Sequence, residues 1–153
     1  MKLPVYLTLL AESESTLAES YRQVADAHGD EPDVHFLCRS LASQCDDHRA
    51  KLDPVIARVG TAPADDEPER LRADAISQPR SGPLGLLRDL QDLYLLASLT
   101  DITWSMVGQA AMALHDRELL DVVGSCDKQT AIQLRWLRTR MKQAAPQALV
   151  VAR

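Results

Sequence analysis

The segment TAPADDEPERLRADAISQPRSGP, residues 61–83, carries four prolines among its charges, and its length decides how everything around it is arranged. Proline removes a backbone donor and crowds the preceding turn, so this stretch supports at most a short helix around Glu69–Ile76. The sequence on either side is helical in pattern and breaks once more at a short turn. Four helices follow, over about residues 4–28, 32–59, 84–114 and 117–143. A few residues join the first to the second and the third to the fourth, which makes each pair an antiparallel hairpin. The middle link of about 23 residues far exceeds the typical ~2–8 between neighbours in bundles. It can run the length of a ~25-residue helix, roughly 38 Å, and return the chain to its starting end. The expectation is one all-α domain over residues 1–153, a four-helix bundle of two hairpins joined by a crossover at 61–83, with a C-terminal tail at 144–153.

The apolar stripes place the core. Helix one repeats Leu3, Leu7, Leu10, Glu14, Leu17, Tyr21, Val24 and His28. Helix two repeats Val34, Cys38, Leu41, Cys45, His48, Leu52, Val55 and Val59. Helix three gives Leu87, Leu90, Tyr94, Ala97, Asp101, Trp104, Gly108, Ala111 and His115. Helix four gives Leu119, Val122, Cys126, Gln129, Gln133, Trp136 and Arg140. Spacings of three and four sustained this long mark helices facing a shared core. At the turns, Gly29 is expected to cap helix one, Asp30 to open helix two ahead of Pro32, and Asp116 to open helix four with Glu118 in its first turn.

Composition excludes several classes. One Phe, two Trp and three Tyr leave a core of Leu, Ala and Val, which suits close-packed helices better than a sheet. A net charge of −5 cannot neutralise phosphates broadly, so no nucleic-acid partner is expected. No apolar run approaches the ~18–20 residues of a membrane span, so no membrane partner is expected either. Glu12 and Glu14 follow the first apolar run too soon for a secretory leader. Three widely spaced cysteines do not form a secreted disulfide framework, and a cytoplasmic setting is the expectation. No glycine-rich nucleotide loop, Ser/His/Asp arrangement or CxxC pair occurs, so no catalytic residue is assigned.

Polar residues inside the stripes are the candidates for function. A carboxylate on a core face is costly unless it is paired or coordinated, and both Glu14 and Asp101 occupy such positions. Counting along each hairpin at ~1.5 Å per residue brings Glu14 level with Cys45 and His48, and Asp101 level with Cys126 and Gln129. These six residues form two related half-sites near mid-bundle.

That pattern resembles the ferritin-like di-metal carboxylate proteins, the group of bacterioferritins and rubrerythrins. In them the first helix of each hairpin gives a carboxylate and the second gives a Glu-x-x-His pair. Glu14 and Asp101 match the carboxylates and His48 matches one histidine. Cys45 and Cys126 stand where the resemblance expects glutamates, and Gln129 where it expects the second histidine. The resemblance implies a metal site at Glu14, Cys45, His48, Asp101, Cys126 and Gln129. Thiolates favour softer ions, so one zinc or copper fits this set better than two irons, with Gln129 as an outer partner. Ferroxidase or oxygenase activity is not inherited from the fold.

Two other readings stand beside the metal. The six residues can form a metal-free polar core, leaving the surface or the tail to engage a protein partner or a second copy of the chain. Alternatively, Cys45 and Cys126 can form a redox pair. His28 and His115 read as helix caps, Trp104 and Trp136 as packing. Tyr21 and Tyr94 read as packing with hydroxyls within reach of the buried carboxylates. Asp46 and Asp47 read as a solvated face. The apolar tail APQALVVAR follows a proline expected to end helix four, and either folds back on the bundle or offers a strand-like segment to a partner.

Overall fold

A computed structural model describes residues 1–61, 73–76 and 78–153 of the chain. All regular structure among the described residues is helical: α1 (Leu3–Ala27), α2 (Pro32–Val59), α3 (Gly82–Leu114) and α4 (Arg117–Pro146), with a π-helical turn at Gln147–Val151. The first three helices each carry a proline in the first two positions, where its missing N–H costs nothing and its fixed φ suits the helix.

The turns follow the expectations in part. Asp116 caps α4, its carboxylate accepting from the Leu119 amide at 3.1 Å. The first hairpin turn differs. His28, not Gly29, is the C-cap of α1, and Glu31, not Asp30, precedes α2 without a side-chain cap. Gly29 has no positive φ, and the Glu31 carboxylate instead accepts from Arg140 of α4 at 3.1 Å. Tertiary ion pairing shapes this turn more than local capping. Gly60, at φ 101°, ends α2 in a conformation that side chains disfavour. His115 caps α3 in the left-handed region.

Two further expectations are corrected. Of the helix around Glu69–Ile76, residues 73–76 are not helical, and the remainder lies outside the described residues. Pro146 does not stop α4. The helix includes it and then widens, the Ala152 amide reaching the Gln147 carbonyl at 2.8 Å. A wider turn accommodates a ring that cannot donate to the preceding turn. Ala148 thereby packs with Leu87 and Ala144, while Leu149, Val150 and Val151 stay exposed.

Apart from the small cluster at Ala148, the core is divided in two. One apolar cluster gathers Leu17–Ala25 positions of α1, Val34–Cys45 positions of α2, Leu86–Ala97 positions of α3, and Leu137 of α4. The other gathers Leu3, Leu7, Leu10 and Ala11 of α1 with Leu52 and Val55 of α2. Trp104, Val107 and Ala111 of α3 and Leu119, Val123 and Cys126 of α4 complete it. Between the clusters, every helix places polar side chains at the same level: Glu14, His48, Thr100 and Thr130 are all buried. None of the helices among the described residues is long and apolar enough to cross a membrane.

Candidate functional site

Glu14 is fully buried on the inward stripe of α1, where every neighbouring stripe residue is apolar. Its Oε1 accepts two hydrogen bonds. The Trp104 indole donates at 2.8 Å and His48 Nδ1 at 3.1 Å. The opposite ring nitrogen, His48 Nε2, lies 2.6 Å from Gln129 Oε1. With the Gln129 amide oxygen turned to it, the ring has an acceptor at each nitrogen, an arrangement that suits the doubly protonated, cationic imidazole. Burial works against that charge, but the hydrogen bond and charge of Glu14, with help from Gln129, outweigh it and raise the His48 pKa above its usual value. Glu14 and His48 thus form a buried hydrogen-bonded pair, ionic whenever His48 is protonated, with Trp104 and Gln129 closing it on either side.

A second set of polar groups adjoins this pair. Tyr21 donates to Gln133 Oε1 at 3.0 Å, and Gln133 Nε2 donates to Gln44 at 3.2 Å. The Cys45 thiol lies 3.8–3.9 Å from the Gln133 amide. Burial first, then the Glu14 charge, pushes the Cys45 thiol well above its ordinary pKa. Cys38 is pushed up to about 12 and Cys126 to about 11, in each case mainly by burial. All three cysteines are free, neutral thiols. Cys45 and Cys126 lie in different apolar clusters.

The six residues singled out from sequence divide. Glu14, His48 and Gln129 are joined by direct hydrogen bonds. Cys45 and Cys126 are buried close enough to feel the Glu14 charge. Asp101 is only half-buried, and burial together with Asp127 of α4 raises its pKa. The partner that α3 gives to Glu14 is Trp104. Among the described residues, no group of three or more His, Cys, Asp or Glu side chains is placed to hold a metal ion. Both His48 nitrogens are engaged by core side chains, and burial keeps the thiols protonated.

Two participants escaped the sequence reading, and a third takes a different partner. Trp104 looked like packing because periodicity reports the face of a side chain and not its N–H. Gln133 carried the same signal as Glu14, a polar residue on an apolar stripe. Tyr21 uses its hydroxyl on Gln133 and not on a carboxylate, while Tyr94 packs against the first cluster. His28 ends α1 through its backbone N–H, and its imidazole is buried at 2.8 Å from Asp89. Asp89 in turn accepts from the Arg80 backbone and guanidinium, which ties the end of the crossover to α1 and α3. Comparison with known protein families, with curated proteins and with solved structures finds no match to this chain.

Proposed function

We propose that this chain is a ferritin-like four-helix bundle whose mid-bundle polar residues bind one another in place of a metal, and that it acts through its surface as a structural or interaction module. The topology rests on cluster membership. The start of α1 shares a cluster with the ends of α2 and α3 and the start of α4. That pattern favours two antiparallel hairpins, with the 60–81 segment joining opposite ends. Three free thiols suit a reducing cytoplasm. The observation that carries the functional reading is His48, whose two ring nitrogens are both hydrogen-bonded to side chains of the core. Elemental analysis of protein purified without chelator or affinity metal tests it. The expected result is no stoichiometric metal and a melting temperature unchanged by EDTA.

A second reading has one specific observation in its favour. Glu14 Oε2 is buried without a hydrogen-bond partner among the described residues, which is costly for a carboxylate oxygen. A single zinc or cuprous ion would satisfy it, with Cys45, Cys126 and His48 as further donors once His48 leaves Gln129 and a thiol loses its proton. About one metal ion per chain, lost in His48→Ala and Cys45→Ser but retained in Cys38→Ser, would replace the first reading with this one.

A further inference from the structure

A second buried histidine lies away from the Glu14–His48 pair, ~21 Å further along α1 at 1.5 Å per residue. The His28 side chain is 4% exposed, and its Nε2 lies 2.8 Å from Asp89 Oδ2. Asp89 also accepts from the Arg80 amide at 2.9 Å and the Arg80 guanidinium at 3.0 Å. A carboxylate engaged in this way acts as an acceptor, which suits a ring with its hydrogen on Nε2. In the neutral ring Nδ1 is then an acceptor. It has no hydrogen-bond partner among the described residues, yet the only fully enclosed side-chain nitrogen or oxygen there without one is Glu14 Oε2. Nδ1 therefore keeps an opening to the space that His28 borders.

That space is a cleft of about 180 Å³ between the end of α1, the starts of α2 and α3, and the end of α4. It has room for about six waters at ~30 Å³ each. Two helix starts and two helix ends meet there, so their dipoles offset one another and side-chain charge decides what enters. Asp30, Glu31 and Arg140 line the cleft. The Arg140 guanidinium is held by Glu31 at 3.1 Å and Asp33 at 2.7 Å, one cation between two carboxylates. Arg80 likewise stands between Asp89 and Asp92. With Asp30 added, negative charge is in surplus around the cleft, and the buried nitrogen at its wall is an acceptor. Leu86 and Ala144 give the wall an apolar side. A primary ammonium group brings three N–H donors, positive charge and no acceptor. On a short apolar stem it complements all three features.

We propose that this cleft binds a small primary amine, its ammonium group donating to His28 Nδ1 and to the carboxylates of Glu31 and Asp30, and its stem lying against Leu86 and Ala144. The site uses neither Glu14 nor His48, so it holds whichever reading of the mid-bundle residues is correct.

The experiment is titration of the full chain with n-butylammonium chloride in mildly alkaline buffer, followed by NMR of the backbone amides and histidine rings. Before addition, the His28 ring should carry hydrogen on Nε2 and none on Nδ1. Butylammonium should shift the Nδ1 signal and the amides of Glu31, Leu86 and Ala144 to saturation. Sodium butyrate, of similar size and opposite charge, should not. Asp30→Asn should weaken binding several-fold, while Asp53→Asn, which removes the same charge from the other end of α2, should leave it unchanged. Both positions are exposed, so neither variant threatens the fold. A lysine side chain carries the same chemistry, and Nα-acetyl-lysine amide separates the two sources: binding by it extends the site to lysine side chains, and its exclusion confines the site to free amines. Hydrogen on Nδ1 in the free ring, butyrate binding as tightly as butylammonium, no saturable shift at these residues, or equal affinity in the two Asp variants would each overturn the proposal.

Discussion

Glu14 and His48 would be a liability if either stood alone, since an uncompensated buried charge costs several kcal/mol. Together they are a matched pair. Glu14→Leu leaves the His48 and Trp104 N–H groups without an acceptor, and chemical denaturation should show a loss of about 3–5 kcal/mol. Glu14→Gln keeps an acceptor for Trp104 and should cost distinctly less in the same measurement. Because the folded His48 pKa is raised, its contribution is fully present below the unfolded value of about 6.5 and is lost as pH rises through the folded value. The stability gap between the natural chain and His48→Gln should therefore be widest in mild acid and narrow on the alkaline side. An NMR titration should place the His48 midpoint above ~6.5. A midpoint below that would contradict the ion pair. Sequence periodicity found both residues, because a polar side chain interrupting an apolar stripe stands out. It could not find Trp104, whose N–H adds nothing to the pattern of hydrophobicity.

At the scale of elements, caps and tight contacts fix how helices enter and leave the bundle. Asp116 both accepts from the Leu119 amide and holds Arg58 at 2.7 Å. Asp116→Ala should cost about 1 kcal/mol in urea denaturation, as a lost N-cap does. Gly85 is held for a different reason. A Cβ there would lie 2.8 Å from Arg80 Cβ and 2.9 Å from its backbone carbon, where the arriving chain crosses the first turn of α3. Gly85→Ala must displace that segment and should lower stability by about 1–3 kcal/mol, the range for overpacking. Asp116 was legible because an N-cap depends on a few neighbouring residues. The Gly29–Asp30 turn was misread because Glu31 is claimed by Arg140 from more than a hundred positions away. Pro146 misled for a related reason: the packing of Ala148 against Leu87 carries the chain past it.

Over the whole molecule, two apolar halves are joined by a polar layer that all four helices supply. The three thiols lie within the core with zero exposure, and burial keeps them protonated. An added disulfide reagent should react with none of them quickly in the native protein and with all three after unfolding in denaturant. Rapid modification of Cys45 in the native state would mean that the mid-bundle layer opens locally, and would revive a redox role. The all-helical architecture and the four helices were legible in the sequence, since helical stripes and the breaks between them are local properties.

The sequence by itself determined the four helices, the inward faces of α1 and α2, and the level at which polar residues interrupt the core. Those features follow from the 3.6-residue period and from proline and glycine positions, which need no knowledge of the neighbours. In α3 and α4 the buried line runs through Leu93, Thr100, Val123, Thr130 and Leu137. That is one position away from Tyr94, Asp101, Val122, Gln129 and Trp136 of the expected stripes, which are only half-buried. Only the tertiary structure decided who meets whom across that level. It gave Glu14 to His48 and Trp104 and left Asp101 half-buried beside Asp127. It also turned Asp89, unremarked in the stripe, into the anchor of His28 and Arg80. A shift of one position around a helix turns a side chain by about 100°, so the partner of a buried group is set by the packing of helices and not by spacing along one of them.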